Sequence, residues 1–300
     1  MKNSSLFRYI LSLLIFGTNG VVASFIPLTG AEIVLTRTIL GSAFLMGVFV
    51  LLKNKLHVTE MKRQWKWMLI SGASMAFSWV CLFEAYDSAG VSIATLEYYC
   101  GPVIVMALSP LLFKEKLTSI KVAGITCVII GMVCINGSGI TGTTGLSSAG
   151  LLYGVLSAVF YAVMIISNKK IQNLSGLELT MAQLIIAGIL VAPYVALMHN
   201  GPLSLGIEAI LAIIFLGIVN SGLACFLYFS SIHELPAQTV ALCSYIDPLS
   251  TLLFSALFLN ERLSTIHAIG AVLILGGAAL GEFFNAYISS RAKRTACAEK

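Results

Sequence analysis

The 300 residues are 58% hydrophobic and only 10% charged, with a mean hydropathy of +0.95, whereas soluble domains run near a quarter charged. A water-soluble core cannot absorb that much apolar surface, which excludes a soluble enzyme or binding module. The net charge of +5 does not indicate nucleic acid, because 16 of the 18 Lys and Arg residues fall in short connectors and tails, where they report on topology.

A hydrocarbon layer about 30 Å thick takes about 20 helical residues to cross. Ten apolar runs of that order follow one another, at 8–25, 31–52, 67–85, 92–113, 120–136, 148–168, 177–198, 207–230, 237–259 and 265–285. They lack the period-two alternation of barrel strands, so the chain is predicted to be an all-α membrane protein with ten transmembrane helices. The first run, with nine more behind it, reads as a span and not as a cleaved leader.

Alternate connectors differ in charge. With the N-terminus inside, the inner segments hold Lys2, Arg8, Lys53, Lys55, Lys62, Arg63, Lys66, Lys114, Lys116, Lys121, Lys169, Lys170, Arg291, Lys293, Arg294 and Lys300. The outer connectors hold Arg262 alone, and Arg37 lies within the second span. Cations are retained on the cytoplasmic side, so both termini are predicted to be cytoplasmic. Seven cysteines without CxxC spacing read as small packing residues, with no disulfide or metal role.

Residues 96–131 superpose on 242–277 without a gap at an offset of 146. The ten identities are Leu96/Leu242, Tyr99/Tyr245, Pro102/Pro248, Ser109/Ser255, Leu111/Leu257, Glu115/Glu261, Leu117/Leu263, Ile120/Ile266, Gly124/Gly270 and Gly131/Gly277. Apolar bias alone gives about three or four matches in such a run and does not align proline, tyrosine, glutamate and glycine. Gly30/Gly176 and Glu32/Glu178 hold the same offset. Each half then has five spans, and an odd number makes the second half enter from the opposite side. Two inverted five-helix repeats, 1–136 and 148–285, are thus predicted, with a flexible linker at 137–147 and a basic cytoplasmic tail at 286–300.

Ten spans in two halves, Arg37 early in the second span, and a proline followed by Glu-Lys/Arg-Leu and a glycine-spaced helix resemble the EamA-type transporters of the drug/metabolite transporter superfamily. The pattern occurs twice, from Pro102 to 115–117 and from Pro248 to 261–263. The resemblance implies a carrier of the bacterial inner membrane, often an exporter of amino acids or related metabolites. It further implies a central cavity among the third, fourth, eighth and ninth spans, with the first and sixth. Glu97 departs from the apolar residue usual for the family at its position.

Ionisable groups within a span are costly and mark function. Arg37 and Glu97 lie at similar depth, ~9 and ~8 Å from the outer end. They either pair with each other or hold a substrate. Asp247 sits ~15 Å into the ninth span, near the midplane. It shares one helical face with Ser244, Thr251 and Ser255, and reads as a substrate or proton site or as a packed carboxyl. Pro102 and Pro248 release the carbonyls of Tyr98 and Ser244, either as binding groups and hinges or as passive kinks. Tyr98, Tyr99, Tyr245, Trp79 and Phe83 are wall candidates, and Asn19, Asn220, Ser221, Ser74 and Ser78 are cavity candidates or interhelical glue. Glu115 and Glu261 read as loop anchors at helix ends.

These residues favour a secondary carrier of a small amino-acid-like metabolite, with Arg37 on a carboxylate and Asp247 or Glu97 on an ammonium. If Arg37 and Glu97 neutralise each other, the lone Asp247 suits proton-coupled efflux of cationic compounds instead. An intramembrane enzyme would need clustered His and Asp, a serine–lysine pair or metal spacing. The histidines 57, 199, 233 and 267 are dispersed, and residues 233–236 lack the second histidine of a zinc motif. The expected partners are the lipid bilayer, a small molecule and protons, with no cofactor.

Overall fold

A computed structural model describes residues 2–53, 56–113, 118–140, 147–198, 205–232, 234–235 and 243–280. The predicted basic tail, the centre of the linker, and Glu115 with its Lys-Leu neighbours lie outside the described residues, as does Leu242.

The described residues form helices and no strands. In chain order they are α1 (Lys2–Gly17), α2 (Asn19–Ala23), α3 (Gly30–Leu51), α4 (Val58–Arg63), α5 (Trp65–Ala89), α6 (Val91–Tyr98), α7 (Gly101–Phe113), α8 (Ser119–Ile140), α9 (Ser148–Lys170), α10 (Gly176–Met198) and α11 (Ile207–Ile214). A π-helical stretch, Phe215–Leu223, then leads into α12 (Ala224–Ile232), α13 (Ile246–Phe258) and α14 (Thr265–Leu280). Among the described residues, seven helical stretches are long and apolar enough to cross a membrane: Ser4–Ala23, Gly30–Leu51, Trp65–Ala89, Val91–Leu112, Ser148–Lys170, Gly176–Met198 and Ile207–Ser231. Ser119–Cys134, Ile246–Phe258 and Thr265–Leu280 are shorter apolar helices. Two details differ from the sequence expectation. The first helix begins already at Lys2, and α8 continues to Ile140, into the segment read as linker.

The two halves repeat each other in atomic detail. Thr29 opens α3 with a capping box: its amide and hydroxyl donate to the Glu32 carboxylate at 2.9 Å each, and the Glu32 amide returns to the hydroxyl. At the same offset, Ser175 and Glu178 make the same three bonds at the start of α10. Such a cap contributes about 1 kcal/mol to the start of a helix.

The glycine pairs carry a second correspondence. A Cβ on Gly131 would lie 2.8 Å from the Gly270 carbonyl oxygen, and one on Gly277 would lie 2.6 Å from that of Gly124. Exchanging the halves maps one contact onto the other, which is the mark of a two-fold relation between α8 and α14. Small residues let these backbones touch, the usual means of helix association in lipid.

Inside, α5 packs along α9, α3 along α10, and α1 against α12 and α13. One apolar cluster centres on Val34, Leu45, Phe83, Leu184 and Leu216. A second joins Leu96, Val128, Ala158 and Ile274. Glu261 acts as the anchor expected of it, because its carboxylate accepts the Val91 and Ser92 amides at 2.7 and 2.9 Å and caps α6. Gly90 precedes that cap at φ 87°, where a Cβ would be both strained and 2.9 Å from Glu261 Oε1.

Gly277→Ala is expected to destabilise the fold by about 1–3 kcal/mol, since its new methyl group meets a carbonyl. Gly276→Ala, with nothing within 4 Å of its Cβ, is expected to be neutral or stabilising. Thermal unfolding of the two variants in detergent, followed by the monodisperse fraction, measures the difference.

Candidate functional site

A cavity of about 400 Å³ occupies the centre of the bundle. Four departures from regular α-helix surround it. Between α1 and α2, the Thr18 amide and hydroxyl both turn back to the Ile15 carbonyl, at 3.0 and 2.7 Å. Between α6 and α7, the break falls at Tyr99 and Cys100, directly before Pro102, whose missing N–H leaves the Tyr98 carbonyl without its helical donor. Ahead of α13, the turn at Tyr245 stands in the same relation to Pro248. The fourth departure is the π-helical stretch, in which the Ser221 hydroxyl donates to the Leu216 carbonyl five residues back, at 3.0 Å.

Each departure presents side chains to the cavity: Asn19 from the first, Tyr98 and Tyr99 from the second, Ser244 and Asp247 from the third, and Asn220 from the fourth. Asp247 lies in the first turn of α13, and its Oδ2 accepts the Tyr99 hydroxyl, which joins the two proline-marked breaks. Thr251 shares that wall, whereas Ser255, expected on the same stripe, turns to α6 and bonds the Ser92 hydroxyl at 2.6 Å. Tyr98 stacks on Tyr161 of α9, with centroids 4.4 Å apart.

Arg37 is only 4% exposed, yet it reaches the cavity wall. Its guanidinium carbon lies 3.9 Å above the Trp79 ring centroid and 5.4 Å from that of Phe83, and its Nε donates to Ser221 Oγ at 3.0 Å. A desolvated cation–π contact of this kind contributes about 2 kcal/mol. The Arg37–Glu97 pair allowed by equal depth does not form among the described residues. Glu97 is fully buried, and its carboxyl abuts Gly154 of α9, where no Cβ would fit. The two side chains leave their helices in different directions, Arg37 toward Trp79 and Glu97 toward Gly154.

Two further residues lie off the cavity. Ser78 donates to the Ser157 carbonyl at 2.8 Å and ties α5 to α9. Tyr245 packs on the second apolar cluster. Pro102 and Pro248 stand behind the wall, at the breaks.

Several wall residues escaped the sequence reading. Gln183 donates to Ser71 and, at 3.0 Å, to Asn168, and both Gln183 and Asn168 line the cavity. Gln183 stands 146 residues after Arg37, so the repeat offset applied to Arg37 points to it. The same offset leads from Phe83 to Phe229 and from Leu82 to Tyr228, all on the wall.

The EamA-like transporter family model matches the chain twice, over residues 4–137 and 148–281. The Bacillus subtilis (strain 168) protein named "Uncharacterized transporter YxxF" is 29% identical over 282 residues, covering 93% of this chain and 89% of that protein. A Salmonella typhimurium protein named "Probable amino-acid metabolite efflux pump" is 25% identical over 239 residues, covering 76% and 77%. A solved crystal structure shares the fold with a TM-score of 0.66 at 20% identity, covering 93% of this chain and 97% of its own. The chain belongs to the EamA-like transporter family: it is an integral membrane transporter of two EamA repeats, and not an enzyme.

Proposed function

We propose that this protein is a secondary carrier that exports a small amino-acid-like metabolite by alternating access. In this reading it comprises ten transmembrane helices in two inverted repeats, 1–136 and 148–285, joined by the linker 137–147. It resides in the bacterial inner membrane with both termini, including the tail 286–300, in the cytoplasm.

The observation that carries the substrate class is the state of Arg37. No carboxylate among the described residues neutralises it, and it shares one cavity with Asp247. A lone cationic substrate would meet an uncompensated guanidinium there, whereas a zwitterion brings a carboxylate to Arg37 and an ammonium to Asp247. This favours the amino-acid-like reading over efflux of cationic drugs. The name of the Salmonella relative points the same way.

The substrate ammonium competes with the Tyr99 hydroxyl for Asp247, so occupancy acts on the link between the two helix breaks. A carboxyl that alternates between an ammonium and a proton also supplies coupling to a proton gradient, with Pro102 and Pro248 as hinges.

The test is a screen of amino acids and related metabolites in proteoliposomes. Asp247→Asn and Arg37→Gln are each expected to cut transport roughly 10- to 100-fold, the loss that follows removal of a charge-assisted hydrogen bond. Glu97→Gln, corrected for the amount of folded protein, is expected to retain most activity. Undiminished transport in both Asp247→Asn and Arg37→Gln refutes the site.

Coupling is tested separately. An imposed pH gradient is expected to drive accumulation by the wild type, and a protonophore to abolish it. Accumulation indifferent to the gradient rules out proton exchange.

A further inference from the structure

Asn220 is fully buried within the π-helical stretch. Its Nδ2 donates to the Ile15 carbonyl at 2.7 Å and to Thr18 Oγ1 at 3.2 Å, at the break between α1 and α2. A main-chain carbonyl only accepts, so these bonds fix which way the amide faces. The NH2 must point at α1, and Oδ1 is left on the other side. That oxygen is buried and accepts no hydrogen bond from the described residues, and Oδ1 of Asn19, the residue after the break, is in the same condition.

Buried acceptors without donors are rare in folded proteins. Here three of them, the amide oxygens of Asn19 and Asn220 and the hydroxyl of Thr95, belong to residues of one cavity wall, which also carries Asp247. Gly17, just before the break, packs so closely on Ser250 that no Cβ fits, and this seats the break against the first turns of α13. The wall therefore gathers two amide oxygens and a carboxylate, all acceptors.

We propose that Asn19, Asn220 and Asp247 form a subsite that reads N–H donors, and that it selects a primary ammonium over an N-methylated one of equal charge. The inference rests on the amino-acid-like reading above and sharpens it. A primary ammonium carries three N–H groups for three acceptor residues. A trimethylammonium carries none and leaves both amide oxygens bare. The aromatic wall of Tyr98, Tyr161 and Trp79, acting alone, has the opposite preference, because cation–π cages accept quaternary ammonium groups.

The experiment measures ligand-induced thermal stabilisation of the purified full-length protein with three probe sets. These are the common L-amino acids, their N,N,N-trimethyl derivatives, and carboxylate-free primary amines such as isopentylamine and phenethylamine. A primary ammonium is expected to bind about 10- to 100-fold more tightly than its trimethyl counterpart. Asn19→Leu, with Asn19→Ala as the second variant, is expected to bring the two within a few-fold of each other while the unliganded protein stays folded.

Equal or tighter binding of the trimethyl compounds overturns the subsite and leaves the amino-acid reading standing, as does undiminished selectivity in a folded Asn19 variant. Binding of the carboxylate-free amines without the amino acids overturns the amino-acid reading and supports the subsite. Failure of both primary-ammonium sets overturns both. If neither Asn19 variant folds, the wild-type comparison of primary and trimethyl compounds decides.

Discussion

A backbone amide or carbonyl left bare in hydrocarbon costs several kcal/mol, so a chain crossing lipid keeps its helical bonds unless something polar replaces them. In this protein the departures from α-helix occur at Thr18, at Tyr99 and Cys100, through Phe215–Leu223, and at Tyr245. Among the described residues, each of them sets its own or a neighbouring side chain on the wall of the central cavity. Thr18 closes its break with its own hydroxyl, and the π-helical stretch uses the hydroxyl of Ser221. The requirement for internal hydrogen bonding thus decides where polar side chains can be spent, and the candidate site follows from it.

The repeat explains why the site is lined as it is. Pairs of wall residues lie 146 positions apart: Asn19 and Ile165, Arg37 and Gln183, Trp79 and Cys225, Phe83 and Phe229, Tyr98 and Ser244. The cavity therefore straddles the relation between the halves. Where the halves serve packing they agree, as in the glycine contacts of α8 with α14 and in the two capping boxes. At the cavity most pairs differ: Arg37 corresponds to Gln183, Trp79 to Cys225, Tyr98 to Ser244 and Asn19 to Ile165, while Phe83 and Phe229 agree. Asp247 corresponds to Gly101, and a Cβ at Gly101 would lie 2.6 Å from the Tyr161 ring. An acid cannot be accommodated at that place in the first half, so α13 alone carries it.

This division also governs what could be read from sequence. The apolar runs, the repeat and the proline-marked breaks depend on properties that add along a segment, namely hydrophobicity, offset and the missing proline N–H, and these are visible without coordinates. Which way a single polar residue points within a span is not additive. Glu97 and Arg37 stand at similar distances from the predicted outer ends of their spans, but one faces Gly154 and the other Trp79. Ser78 and Ser255 resemble Ser244 by composition, yet both are consumed in helix–helix bonds. The π-helical stretch, which packs chiefly on α3, had no legible signal, because its apolar residues read as part of an ordinary span. Gln183 was legible in principle through its offset from Arg37.

Under the proposed topology many of the polar contacts outside the cavity fall into two sets at opposite ends. At the inner end, Glu178 caps α10 and also accepts the His57 amide at 2.9 Å, Gln64 and Gln172 exchange bonds, and Arg8 reaches Glu234 at 3.2 Å. At the outer end, Glu261 caps α6, and Glu84 accepts the Gly30 amide at 2.9 Å. Most of these bonds join a carboxylate or amide side chain to a main-chain group at a helix end. At helix ends such groups can turn to water once a bond opens, so breaking the bonds exchanges protein partners for solvent at about 1 kcal/mol each, and for charged acceptors somewhat more. The glycine-packed pair α8 and α14 and the apolar clusters have no such substitute partner in lipid. Many of the cheaply exchanged contacts thus lie at the two ends and the costly ones in the middle. Under the proposed alternating access, that distribution would let two arrangements of the same helices differ by only a few kcal/mol, within the range that a bound substrate can shift.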